Sequence, residues 1–376
     1  MASLPFELLA VCPHTGARAG LLHTPHGAVE TPVFMPVGTQ ATVKGLTPDH
    51  LSHELDARII LANTYHLYLR PGHETVRKLG GLHGFMNWPR AILTDSGGYQ
   101  AFSLSSLTRI TGEGVLFRSH LNGDKHLFTP ASTVNTQIAL GSDIMMVLDE
   151  CLAYPASHGA ARVSMERTIR WAQDSFDHLA GLQGHSGGLF PIVQGSMFAD
   201  LRAECAQRLT SLNADGYAIG GLSVGEPRPL SMEMVEASVP HLPADRPRYV
   251  MGVGTPEELP EYVARGVDMM DCVMPSRNAR NGCLFTSQGK LIVKHARYKE
   301  DPTPIDPACA CFTCARFSRA YLRHLFLAGE ILYSTLATLH NLHHYLAIMR
   351  RIRHAILAGN FPELLKGLRS QPLEAV

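Results

Sequence analysis

The sequence predicts an α/β fold, a (β/α)8 TIM barrel interrupted by inserted β-hairpins and followed by a C-terminal subdomain built on clustered cysteines. Three observations carry this. Eight short apolar runs recur between residues 31 and 282, mostly separated by stretches of helical pattern, and eight β-α units are what a closed parallel barrel requires. Polar or glycine-rich residues follow seven of these runs, where a barrel gathers them at one mouth. Cys309, Cys311 and Cys314 fall within six residues of a proline-rich loop.

In chain order, residues 1–30 form an N-terminal hairpin segment, with apolar and polar residues alternating around Thr15-Gly16. The barrel then occupies 31–282. Its strands are expected at Val33–Val37, Arg58–Ala62, Ala91–Thr94, Ile144–Leu148, Leu189–Val193, Tyr217–Ile219, Tyr249–Val253 and Val267–Val273. Thr47-Pro48-Asp49 opens a helix before His50–Leu55, and Thr129-Pro130 opens another through Thr133–Leu140. Met165–Leu179, Phe198–Ser211, Leu230–Val239 and Thr255–Arg265 supply four more. An open doubly wound sheet gives a similar alternation; the polar strand ends favour the barrel. Two stretches break the rhythm: 104–129, a β excursion turning at Asn122-Gly123, and a hairpin after the eighth strand turning at Gln288-Gly289. Residues 283–376 hold that hairpin, the cysteines and C-terminal helices.

Lys+Arg and Asp+Glu both number 33 in 376 residues, so nucleic-acid binding must rest on a local patch. Arg277, Arg280, Lys290, Lys294, Arg297 and Lys299 accumulate before Glu300; most such clusters are simply solvated faces. No apolar run reaches the length of a membrane span and no export signal is visible, so no membrane association and a cytoplasmic location are expected.

Cysteines at 309, 311 and 314 would repel or oxidise unless a cation neutralised them, and Zn2+ with one nitrogen ligand closes a tetrahedral site. His324, His340, His343 and His344 are candidates for that fourth ligand; His340 lies early enough on the last predicted helix to reach back. Four protein ligands leave no open position, so a structural role is expected.

Asp95, Asp149 and Asp271 end three different strands. Separate carboxylates at one mouth suit sugar chemistry, in which one attacks an anomeric carbon and another manages protons; a metal site is the alternative, although no H-x-H or H-E-x-x-H pair is present. Asp149, Gln194 and the backbone of Gly221-Leu222 could meet a purine edge, with Tyr99 and Met251 on its faces. Singly each reads as a turn or core residue; their shared position at strand ends argues otherwise. After Asp268 and Asp271, Arg277 and Arg280 follow on an expected loop, cations suited to an anionic substrate.

The segments T-P-V-F-M-P-V-G-T, L-T-D-S-G-G-Y-Q-A-F-S-L, M-M-V-L-D-E-C, P-I-V-Q-G, G-Y-A-I-G-G-L-S-V-G-E, D-C-V-M-P-S-R-N-A-R-N-G and C-A-C-F-T-C…H-N-L-H are ordered along nearly the whole chain. In these the sequence resembles the bacterial tRNA-guanine transglycosylases, or queuine tRNA-ribosyltransferases. The resemblance implies exchange of guanine at the wobble position of tRNAs with G-U-N anticodons for 7-aminomethyl-7-deazaguanine. It implies Asp271 as nucleophile at C1′ and Asp95 as general acid/base. Ser96, Gly97, Gly98, Tyr99, Asp149, Cys151, Gln194, Gly221, Leu222 and Met251 would bind the base. Gly252, Val253, Gly254, Thr255, Pro256, Glu257 and Glu258, with Ser276, Arg277, Asn278, Ala279 and Arg280, would contact tRNA. Cys309, Cys311, Cys314 and His340 would hold structural Zn2+, and a homodimer is expected. Val224 and Cys151 look like the bacterial form; Thr255 departs from it, standing where many members have lysine. The competing implication, a non-catalytic tRNA-binding subunit, sits poorly with the presence of both Asp95 and Asp271.

Overall fold

A computed structural model describes residues 4–104 and 108–369. β1 (Phe6–Val11), β2 (Arg18–Thr24) and β3 (Gly27–Thr31) form an antiparallel sheet. The predicted hairpin is β1–β2; a tight turn between Thr24 and Gly27, unforeseen in the sequence, adds β3.

β4 (Val33–Met35), β5 (Ile59–Ala62) and β6 (Ala91–Thr94) follow. The helix expected at His50–Leu55 is a five-residue π turn, His50–Glu54. Three six-residue helices, Thr64–Leu69, His73–Lys78 and Gly81–Met86, link β5 to β6. None is long enough to show a readable helical period. The predicted excursion contains β7 (Arg109–Ile110), β8 (Val115–Arg118) and β9 (Lys125–Phe128), antiparallel, with Arg118 opposite Lys125 across the Asn122-Gly123 turn. Positions 105–107 of that stretch lie outside the described residues.

The remaining expected strands are β10 (Ile144–Met146), β11 (Gly188–Phe190), β12 (Ile192–Val193), β13 (Tyr217–Ile219), β14 (Arg248–Val250) and β15 (Met269–Asp271). The fifth predicted run thus divides at Pro191, which has no N–H for the ladder. β16 (Cys283–Thr286) and β17 (Gly289–Ile292) make the second hairpin. Its loop is Ser287-Gln288, one position earlier than expected, because Thr286 pairs with Gly289.

Two parallel sheets result, β11-β10-β6-β5 and β12-β13-β14-β15-β4. Consecutive residues in chain order flank Pro191 at one junction, and a parallel bridge joins Val37 to Leu61 at the other. The strands are apolar and buried along their length, the pattern of a parallel sheet covered on both faces. Because they run parallel, residues that follow β6, β10, β12, β13, β14 and β15 leave the sheets on the same side. Thr129 and Ser132 form a capping box that starts Pro130–Leu140, and Ser157 caps His158–Ala180. Helices Ala199–Thr210 and Arg228–Ser238 agree with expectation, whereas Leu259–Ala264 starts later than predicted.

Beyond β17 lie the expected C-terminal helices: Arg319–Ala328, longer than the Ala320–Leu327 pattern in the sequence, and the 27-residue Ile331–Leu357, longer than the pattern Tyr333–Met349. Leu284, Leu291, Ile305, Cys311, Leu322 and Leu336 bury against one another in a separate small core beneath the cysteine segment. Among the described residues no helix is long and apolar enough to cross a membrane.

Asp268, one residue before β15, is fully buried and takes Arg18 Nε at 2.9 Å and Nη2 at 2.5 Å. It also accepts from Arg248 N at 2.7 Å, so this strand-end carboxylate fastens the N-terminal sheet to the parallel strands. Asp268→Asn leaves Arg18 buried without its counter-ion and should lower unfolding free energy by about 3–5 kcal/mol, read from the urea midpoint at unchanged slope.

Candidate active site and metal-ligand cluster

Asp271 ends β15, opposite Met35 of β4. Its Oδ1 accepts from the Tyr249 hydroxyl at 2.5 Å and from Gly252 N at 2.8 Å. Burial pushes its pKa up, and these two hydrogen bonds oppose the rise. Asp95 stands just past β6. Thr64 N donates to Oδ1 at 2.8 Å, while Asn63 Nδ2 at 2.5 Å and Gln100 Nε2 at 2.8 Å donate to Oδ2. Burial pushes Asp95 up to about 6, against those donors and with a contribution from the charge of Asp271. Asp149, past β10, accepts from Gln194 Nε2 at 2.8 Å and from Ser96 Oγ at 3.5 Å. It too is pushed up to about 6, by burial first and by Asp95 among lesser causes.

The three carboxylates therefore share one mouth, Asp95 and Asp271 buried there and Asp149 half-buried, and sense one another's charge. Such a set can keep one group as an anion in contact with substrate while a neighbour with a pKa near 6 exchanges protons.

Around them, Gln194 is 2% exposed, and its backbone N–H donates to Cys205 Sγ at 3.3 Å. Gly221 lies at φ +65°, and a Cβ there would stand 2.3 Å from Gln194 Oε1, so only glycine fits beside that amide. Leu222 is buried, Met251 half-buried and packed on the main core, and Tyr99 is 49% exposed. Ser96, Gly97 and Gly98 are buried at the start of helix Gly98–Leu104. Cys151 borders the mouth with its thiol pushed up to about 12 by burial, which makes it a poor nucleophile.

The expected tRNA-contact positions divide by exposure. Gly252 and Arg277 are exposed; Glu257, Glu258, Asn278 and Arg280 are half-buried. Val253, Gly254, Thr255, Pro256, Ser276 and Ala279 are buried. Glu258 pairs with Arg228 at 3.1 Å and accepts from Thr255 N at 2.7 Å. Arg277 and Arg280 are not on a loop. They lie three apart on helix Met274–Arg280, which Pro275 starts from within its first turn, and that spacing puts both on one side.

Asn63, Gln100 and Tyr249 are the donors that the sequence reading did not assign to the carboxylates. Tyr249 looks like an ordinary strand residue there, since only the pairing of β14 with β15 brings its hydroxyl to Asp271. Gln100, five residues after Asp95, was the more visible of the three.

Cys309, Cys311, Cys314 and His340 offer ligand atoms all within 4.8 Å of one another. His340 Nδ1 lies 3.8, 3.6 and 3.3 Å from their respective sulfurs. Tetrahedral bonds of about 2.3 Å to sulfur and 2.0–2.1 Å to nitrogen separate those atoms by about 3.6 Å, so the cluster could hold a metal ion. His340 Nε2 lies 2.7 Å from the Phe285 carbonyl; donating there leaves Nδ1 free as ligand. Of the other candidates, His343 Nδ1 comes within 3.6 Å of Cys309 Sγ only.

A second group, His26, His83 and Asp143, also converges. Its two imidazoles stack 3.5 Å apart at 13°, so no point lies in both ring planes as joint ligation requires. Both rings instead meet the Asp143 carboxylate, at 2.7 and 3.2 Å, tying the β2–β3 turn to the start of β10. A cavity of about 400 Å3 lined by Tyr68, Arg70, His73, Asn122 and His126 contains none of the three mouth carboxylates.

A family model described as queuine tRNA-ribosyltransferase matches residues 12–372. The chain is 65% identical over 373 residues to the queuine tRNA-ribosyltransferase of Solibacter usitatus, covering 98% of each. It is 58% identical over 360 residues to that of Caldanaerobacter subterraneus, covering 95% of this chain and 94% of the relative. With the one of Koribacter versatilis it shares 52% over 383 residues, 99% of this chain and the whole of the relative. Matched over nearly its whole length by that family model and by relatives more than half identical, the chain belongs to the queuine tRNA-ribosyltransferase family.

Proposed function

We propose that this enzyme exchanges guanine at the wobble position of tRNAs with G-U-N anticodons for 7-aminomethyl-7-deazaguanine, by two displacements at C1′ of the ribose. The observation that supports it most is the pairing of roles at the mouth. Asp271, fixed by Tyr249 and Gly252, attacks C1′ as the base departs, leaving a ribosyl ester on Oδ1 or Oδ2. Asp95, held by Asn63, Thr64 and Gln100, gives a proton to the departing guanine and takes one back from the incoming base, whose ring nitrogen then attacks C1′ and releases Asp271. Two inversions retain configuration.

Asp149 and Gln194 meet the donor and acceptor edge of the purine, with Leu222 N–H beside them and Tyr99 and Met251 on its faces. The target nucleotide leaves its stack to enter, and Arg277 and Arg280 contact the flanking nucleotides. The same reading has the two parallel sheets close into one (β/α)8 barrel through Pro191 and the Val37–Leu61 bridge. It takes 1–30 as an N-terminal segment, 31–282 as the catalytic barrel and 283–376 as a zinc-binding subdomain with C-terminal helices. Zn2+ held by Cys309, Cys311, Cys314 and His340 would be structural. Family resemblance further supports a cytoplasmic homodimer.

Radiolabelled guanine should enter unmodified tRNA carrying a G-U-N anticodon with wild type, and not with Asp271→Asn. The same variant should give no RNA-protein adduct on denaturing gels. No label transferred by folded, metal-loaded wild type would reject the exchange reading. Attack on C1′ needs Asp271 ionised, and burial has raised its pKa; the rate should therefore fall as pH is lowered from neutrality into the acid range. A rate flat from pH 8 to 5 would contradict the assignment. Cys311→Ser should lose bound zinc and melting temperature together; a variant that keeps full stability without metal would show the cluster to be dispensable.

A further inference from the structure

Arg202 lies on helix Ala199–Thr210 and is fully buried. Among the described residues it forms no ion pair. Its guanidinium is spent on backbone carbonyls of two strand ends: Nε to Ser196 O at 2.8 Å, Nη1 to Val193 O at 3.3 Å and Gly220 O at 2.7 Å, and Nη2 to Gly221 O at 3.2 Å. These carbonyls bracket Gln194 on one side of the mouth and adjoin Leu222 on the other.

A trans peptide points its N–H opposite to its C=O. Holding Gly220 O and Gly221 O therefore turns the N–H groups of Gly221 and Leu222 away from Arg202. Those two glycines touch the opposing group as well: a Cβ on Gly220 would meet Gln194 Nε2 at 3.0 Å and Met251 Sδ at 3.6 Å. One side chain thus sets both halves of the base-facing surface, the Gln194 loop and the Gly220–Leu222 amides.

We infer that Arg202 is a positioning residue for the base: it never touches substrate, and it aligns the Gln194 amide and the Leu222 N–H for recognition of a purine-type edge. This rests on the base-exchange reading. Buried among carbonyls, its cation is solvated by backbone oxygens without adding a further acid to a mouth that already holds three.

The test uses zinc-loaded, full-length Arg202→Met and Arg202→Lys beside wild type, with guanine and tRNA as varied substrates. Arg202→Met should raise KM for guanine at least about tenfold, the scale of one buried hydrogen bond to a ligand, with KM for tRNA within about twofold. Arg202→Lys, which keeps the charge and part of the carbonyl contact, should recover part of the loss. A purely structural role would lower melting temperature and the active fraction while leaving KM for guanine unchanged, and that result would overturn the inference. Should both variants fail to fold, amide hydrogen exchange on wild type decides: Leu222 N–H should gain protection on guanine binding, and no change there would also overturn it. Wild type that exchanges guanine while Arg202→Met keeps a normal KM removes the inference alone; wild type that exchanges nothing removes the reading beneath it.

Discussion

Burying carboxylates at one mouth is the constraint on which the rest of the site depends. Raising Asp95 from 3.8 to about 6 makes its ionised form about 3 kcal/mol harder to reach. Left bare, a buried carboxylate would simply stay protonated. The surroundings answer with neutral donors rather than cations: an amide from Asn63, another from Gln100, the Thr64 and Gly252 N–H groups and the Tyr249 hydroxyl. A lysine or arginine in contact would have pulled the pKa well below the working range and locked Asp271 into an ion pair. Neutral donors orient the oxygens and leave their charge available to an incoming electrophile.

The long helix Ile331–Leu357 transmits order from the cysteine cluster to that mouth. His340 faces the three thiols, and its neighbour Asn341 donates to the carbonyls of Pro275 and Cys283 at 3.0 and 3.1 Å while accepting from Phe285 N at 3.0 Å. Pro275 belongs to the helix carrying Arg277 and Arg280. One turn further, the Tyr345 hydroxyl reaches Gly254 O at 3.3 Å, and Arg353 bonds the carbonyls of Gly20 and Thr31 in the N-terminal sheet. The cysteine cluster is thereby tied through one helix to the arginine helix and to the Gly252–Gly254 turn.

The strands were legible because a buried parallel strand writes itself as a short apolar run bounded by polar residues, and each expected run overlaps a strand. The same signal located Asp95, Asp149 and Asp271 at strand ends. What stayed hidden depends on contacts between strands or on elements too short to carry a period. Tyr249 is apolar in pattern, and its role exists only once β14 lies against β15. The six-residue helices after β5 fit no amphipathic template, and the arginines after Asp271 looked like a loop because Pro275 and two asparagines mimic turn chemistry. Asp268, one residue before β15 and three before Asp271, was indistinguishable by pattern from a mouth carboxylate, yet it faces Arg18 and serves the fold.

Two buried arginines show how the chain separates holding from acting. Arg18 meets an acid, Asp268, away from the mouth, where a strong bidentate pair can be as rigid as it likes. Arg202 stands behind the loops of Gln194 and Gly220–Leu222, where a partnering carboxylate would compete with Asp149 for donors and raise the pKa of every acid nearby. Carbonyl oxygens satisfy its donors with partial charges and carry no proton of their own. Burial still lowers Arg202 to about 10, which leaves it a cation at neutral pH, and a fixed cation bonded only to backbone is a scaffold whose geometry does not change as the carboxylates gain and lose protons.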